Sequence, residues 1–285
     1  MCPSPPSSEP ELSDVSLSGR SRIGGKQVRG AEFRDLAGND ELAARADADG
    51  LTVEFATRLL ASCILTLRTD GGELPASSDH VRALTAGDRE TVLLALRRAA
   101  YGDRLDLLVT CPDVTCGAIM DAALTVSDLL HGPIKSPTSR DFDGAGVRPV
   151  TGDDLHAVAA LALDDPEAAV RRLAARCTGR DDDGATLTAD ELAAVESALE
   201  ALDPHAEHEL VLGCPECDLA FTSSIDAGEL LRQEMTASIT ELDVSVHLMA
   251  STYHWCERDI MALPIIRRRR YLRVLTDAVA TSVSH

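Results

Sequence analysis

A chain of 285 residues is long enough for one large domain or two small ones. Its formal net charge of −20 argues against a general nucleic-acid binder and against docking on an anionic membrane, since both need a cationic surface. Aromatic residues make up 3% of the chain, so a core has to be built from Leu, Ala, Val and Ile.

Residues 1–40 are rich in Ser, Pro, Gly and charge without apolar periodicity, and a disordered N-terminal tail is expected there. The opening Met1-Cys2-Pro3-Ser4 lacks a basic region followed by an apolar one, and no apolar run of about 18 residues offers a membrane span. A cytoplasmic, reduced protein is expected. Residues 41–136 then hold a helical segment and a first cysteine hairpin. Val53, Phe55, Ala56, Leu59, Leu60, Cys63 and Ile64 fall near helical spacing, although Leu65-Thr66-Leu67 equally extends a strand. Thr85-Ala86-Gly87-Asp88 reads as a capping box opening an amphipathic helix to about residue 100, with Asp88-Arg89-Glu90 on a solvated face.

The first knuckle is Cys111-Pro112-Asp113-Val114-Thr115-Cys116, placed between two apolar runs of strand character. Residues 137–208 read as an acidic helical insertion: Thr151, Asp165-Pro166 and Thr188 each open a helix. Residues 137–210 carry 17 acidic and 6 basic side chains, more than half of the chain's excess charge. Asp181-Asp182-Asp183-Gly184 resembles part of a calcium loop but lacks the alternating ligands and the closing Glu. Residues 209–285 begin with the second knuckle, Cys214-Pro215-Glu216-Cys217, again set between apolar runs. A long helix through Leu230–Met249 follows, then a short helix after Cys256 and a last one opened by Pro264.

Two halves of the form strand, Cys-Pro turn, Cys, strand supply four thiolates, enough to close a tetrahedral structural zinc site. Cys111, Cys116, Cys214 and Cys217 are the candidate ligands, and with no open position such a Zn2+ is structural and not catalytic. The alternatives are two hairpin turns with incidental thiols, or a redox-active pair at Cys214 and Cys217. His205 and His208, just before the second knuckle, are possible substitute ligands. The fold class that follows is α+β, mostly helical, with two zinc-ribbon-like β-hairpins, a helical insertion and a C-terminal helical region.

The C-terminal stretch is locally basic, with 6 Arg against 3 acids over residues 256–285. Helix-turn-helix binding of DNA is one reading, but phosphate affinity is opposed by the acidic field of the whole chain. Four successive Arg also point around a helix and not along one face. Tyr253, Trp255, Tyr271 and the run Arg268-Arg269-Arg270 fit a protein-docking surface, where aromatic and Arg side chains serve as anchors.

Three segments in order carry a resemblance. They are Leu84-Thr85-Ala86-Gly87-Asp88-Arg89-Glu90 with Leu93–Arg98, the two Cys knuckles, and Tyr253-His254-Trp255 through Asp259–Pro264 to Arg268–Leu272. Together they resemble the T-even phage baseplate hub assembly protein family, found in contractile phage tails and contractile injection systems, over roughly residues 50–280. The Cys-x4-Cys knuckle departs from the more usual two-residue spacing. The resemblance implies a non-enzymatic assembly factor or minor component of a baseplate or hub, with baseplate or hub proteins as partners. No Gly-rich phosphate loop, Gly-x-Ser-x-Gly or His-Glu-x-x-His motif suggests an enzyme. The other reading is a zinc-containing, redox-sensitive transcriptional regulator or anti-sigma-like adaptor.

Overall fold

The computed structural model describes residue 5 and residues 12–131, 146–180 and 187–283. Strands β1 (Leu12–Ser16), β2 (Arg22–Ile23) and β3 (Lys26–Arg34) come first, then α1 (Gly38–Ala46), α2 (Thr52–Cys63), β4 (Ile64–Thr69), β5 (Gly72–Pro75), α3 (Ser78–Ala83) and α4 (Ala86–Tyr101). A first ribbon, β6 (Arg104–Thr110) and β7 (Ile119–Thr125), leads into α5 (Val126–His131). The insertion holds α6 (Gly152–Asp164), α7 (Pro166–Thr178) and α8 (Ala189–Leu202). A second ribbon, β8 (His208–Gly213) and β9 (Ala220–Ile225), precedes α9 (Ala227–Ala237), α10 (Ile239–Tyr253), α11 (Glu257–Met261) and α12 (Ile265–Val283). The chain is thus α+β, with helices predominating over small antiparallel sheets.

The disorder expected over residues 1–40 is corrected from Leu12 on, where three strands join a sheet. β3 pairs antiparallel with both β1 and β4, β2 adds to β3, and β5 closes the far edge. Val28, Ala31 and Phe33 are buried, yet they do not alternate strictly, because register shifts fall between Val28 and Gly30 and between Glu32 and Phe33. A bulge that moves side chains from one face to the other hides a strand from period-2 inspection. β4 likewise starts where α2 stops, at Ile64, so Leu65-Thr66-Leu67 belongs to a strand.

The centre of the core is α4. Val92, Leu93, Leu94, Ala95 and Leu96 are all buried, so this helix is wrapped on every side and is not amphipathic. It packs with Phe33, Leu60, Leu67, Leu231, Met235 and Ile265 in one cluster drawn from both ends of the chain. The run Asp88-Arg89-Glu90 is not a solvated face either. Asp88 accepts from Ser18 N–H and Ser21 Oγ, which ties the start of the chain to this helix. Arg89 donates to Val81 O and Thr57 Oγ1, and Glu90 accepts the N–H of Ala227. Burial pushes the Glu90 carboxyl up to about 8 and pulls the Arg89 guanidinium down to about 10. Thr85 caps α4 by accepting from Asp88 N–H, but no reciprocal bond forms, because Thr85 N–H donates to Ser21 Oγ.

The insertion's helices begin where their caps predict. Thr151 with Asp154 and Thr188 with Glu191 form reciprocal capping boxes, and Asp165 caps α7 ahead of Pro166. Asp203, just after α8, accepts the Gly87 N–H at 2.9 Å and is buried. A Cβ at residue 87 would collide with Asp203 Oδ1, so glycine is needed there for the approach. The Asp181–Gly184 run lies outside the described residues.

The predicted long helix through residues 230–249 is two helices, α9 and α10, meeting at Ser238. Ser238 Oγ donates to Glu41 Oε1 at 2.5 Å, an interaction a continuous helix with an apolar residue there would lack. α10 ends at His254, which takes the left-handed conformation at φ 58°. Among the described residues, no helix is long and apolar enough to cross a membrane.

Candidate metal centre

Each knuckle is built by the same local rules. At the first, Cys111 N–H donates to Ala118 O across the turn, and Cys116 and Gly117 N–H both donate to Asp113 O. The Asp113 carboxylate accepts from Thr115 N–H and Oγ and is held below its ordinary range by those bonds. At the second, Cys214 N–H donates to Leu219 O, and Asp218 N–H returns to Cys214 O. The residue after the second cysteine of each knuckle has positive φ, 57° at Gly117 and 59° at Asp218. The extra two residues of the first knuckle are absorbed in its Asp113–Thr115 turn, so the departure in spacing leaves both thiols directed to one point.

The four sulfurs lie within 4.8 Å of one another. Cys111 Sγ is 3.7 Å from Cys217 Sγ, and Cys116 Sγ is 3.8 Å from Cys214 Sγ. A tetrahedron of metal–sulfur bonds about 2.3 Å long has sulfur–sulfur edges of about 3.8 Å. The two short pairs match that edge, and each runs from one ribbon to the other. The site therefore can hold a metal ion, and an ion there would tie residues 106 and 98 positions apart. Cys111 and Cys214 are buried, Cys116 is half-buried and Cys217 is exposed. Backbone N–H groups of Glu216 and Cys217 hold the Cys214 thiol down to about 7, whereas burial and the neighbouring sulfurs push Cys111 and Cys217 up, so the thiolate is favoured at Cys214 first.

His205 and His208 do not join the sulfurs: the metal-holding group among the described residues contains the four cysteines alone. His208 is buried at the start of β8, its ring 6.1 Å from that of His205, and burial pulls its pKa down to about 4. Cys63 and Cys177 are buried separately, and burial pushes both thiols up to about 11.

The predicted docking residues divide. Tyr253, Trp255 and Tyr271 form one half-buried aromatic cluster, with Tyr253 stacked on Trp255 at 4.7 Å and Tyr271 edge-on to Trp255 at 5.1 Å. They pack on Met249, Ile260 and Leu263, and so join α10, α11 and α12. Arg268 is buried and bonded to Glu41 Oε2, which removes it from any surface. Arg269 pairs with Glu241 and lies over the Tyr101 ring, while Arg270 is exposed. Four consecutive residues of a helix sample every direction, and these do. Sequence reasoning missed Glu41, an acid beside Leu42 inside a helical segment, and Asp203, an acid between Leu202 and Pro204 just after one.

Comparison with protein-family models, with curated proteins and with solved structures returns no match.

Proposed function

We propose that the chain is a non-enzymatic adaptor whose two β-ribbons form a split zinc ribbon, stapled by one structural Zn2+ on Cys111, Cys116, Cys214 and Cys217. The observation that carries this is the convergence of four sulfurs with cross-ribbon separations of 3.7 and 3.8 Å. An all-thiolate set of that size suits zinc, and it leaves no coordination position for a substrate.

The adaptor serves the assembly of a baseplate or hub in a contractile tail-like particle. The ordered resemblance of the α4 segment, the knuckles and the C-terminal segment supports that role, as does a net charge that opposes nucleic-acid binding. Two measurements test the two parts. Elemental analysis of the purified chain is expected to give one zinc per chain, lost in Cys214→Ser; full zinc in that variant would sink the shared site. A tagged pull-down from the native host with mass spectrometry is expected to recover tail-tube, spike or baseplate proteins. Recovery of RNA polymerase subunits or DNA would replace the adaptor with a regulator, a reading favoured only by the exposure of Cys217 to oxidants.

A further inference from the structure

Apart from Leu163 on α6, 75% exposed, the large apolar side chains left most exposed among the described residues lie on the two ribbons. Val114 is 97% exposed, Val211 83%, Leu108 75% and Ile119 70%. In the first ribbon the burial alternates as far as Leu124: Leu107, Val109, Met120 and Leu124 are half-buried, while Asp106, Leu108, Thr110, Ile119, Asp121 and Ala123 face outward. Across the ladder Leu108 stands opposite Asp121, Thr110 opposite Ile119 and Asp106 opposite Ala123. The outward face is therefore a mosaic of apolar and acidic positions.

The edges of that ribbon are open. β6 pairs with β7 and with no other strand among the described residues, in seven consecutive registered pairs without a bulge. Exposed edges are ordinarily protected by Lys, Pro, a bulge or a covering element, because unpaired N–H and C=O groups recruit other strands. Neither strand contains Lys or Pro. A two-stranded ribbon is also marginal alone in water and gains stability from a third strand. Over residues 104–125 and 208–225 the ribbons carry six carboxylates and one guanidinium, that of Arg104, which is paired with Asp106.

We infer that the outward face and free β7 edge of the first ribbon form a docking surface for an extended partner segment, added as a third strand, in which every second residue is in turn apolar and basic. Main-chain bonds to the edge supply affinity, and the side chains that share the outward face supply specificity: an apolar side chain of the segment lies beside Ile119, and the Lys or Arg two residues along meets Asp121. The metal ties the tip of this ribbon to its neighbour and so holds the edge in place. The inference rests on the adaptor reading and names the class of partner segment.

The test titrates the full zinc-loaded chain with a short fluorescent peptide in which Val and Lys alternate at every second position, with Thr between them, following anisotropy and amide hydrogen exchange. Saturable binding with slowed exchange in residues 104–125 is expected. Ile119→Ser with Asp121→Lys is expected to weaken it by about tenfold while zinc content stays unchanged. Equal binding by a peptide of the same charge interrupted by Pro would reduce the effect to bulk charge and overturn the inference. Absence of binding to the wild-type chain would overturn it as well, as would association of the chain with itself through this ribbon. Each of these leaves the zinc measurement unaffected, so failure here is separable from failure of the stapled-adaptor reading.

Discussion

Arg268 of the last helix and Glu41 of the first are bonded to each other in the interior, 227 residues apart, with side-chain exposures of 1% and 0%. Glu41 also accepts from Ser238, so one carboxylate joins α1, the α9–α10 junction and α12. Removing either partner strands a buried charge. Glu41→Gln or Arg268→Met is expected to cost about 3–5 kcal/mol, and a double replacement by apolar residues to recover much of it. Urea denaturation of the three variants checks this; simple additivity of the two single losses would refute coupling.

Chelation is expected to lower the melting temperature and to make four thiols reactive to an aromatic disulfide reagent, while helical circular dichroism persists. The ribbons lie outside most of the α4 core, to whose buried residues their strands add Leu105 while most of the rest come from α2, α4, α9 and the first sheet. Loss of helix on zinc removal would show that the metal holds the whole fold and not only the ribbons.

Asp203 gives the chain a pH-dependent joint. Burial, with Asp88 nearby, pushes its carboxyl up to about 6 from 3.8. A raised carboxyl stabilises the fold fully below its unfolded value of 3.8, and that contribution is lost as pH rises through about 6. Asp203→Asn keeps an acceptor for Gly87 N–H and removes the buried charge. It is expected to be more stable than wild type at pH 8, by up to about 3 kcal/mol, with the gap closing below pH 6. Thermal melts across that range decide it; a constant gap would remove titration as the cause.

His208 acts in the opposite sense. Its folded pKa of about 4 lies below the ordinary 6.5, so its neutral form contributes stability above 6.5 that is lost as pH falls through 4. His208→Gln is expected to flatten the acid limb of the stability profile by roughly 2 kcal/mol. An unchanged limb would assign acid unfolding to carboxylates such as Asp154, which Arg148 and Thr151 hold well below the usual range despite its burial.

Trp255 is the single tryptophan, and it sits between Tyr253 and Tyr271. Tyr271→Ala is expected to shift its emission to longer wavelength and to cost about 1–3 kcal/mol, because one wall of the cluster is lost. Unchanged emission would mean that α12 does not shield the indole.

The helices with side-chain caps were legible, because a Thr three residues before an acid, or an Asp just before Pro, states its geometry locally: Thr151, Asp165 and Thr188 all fall at real helix starts. The cysteine knuckles were legible for the same reason. What local pattern could not disclose was long-range. Asp88 looks like a capping acid until Ser18 and Ser21 arrive from a segment that resembles a tail. Arg268 looks like its three neighbours until Glu41 meets it, and the β3 bulges erase the alternation that marks a strand. In each case the deciding partner is more than 30 residues away, or on another strand.

The span of the sulfur pairs also sets an order of events during synthesis. Cys116 leaves the ribosome 98 residues before Cys214, a delay of roughly 5–20 s at ordinary elongation rates. The α4 core waits as long, since Leu231, Met235 and Ile265 belong to it. Until residues 214–265 have emerged, α4 lacks its later core partners and the first thiol pair stays unclosed. Closure of the core is gated by α9 and α12.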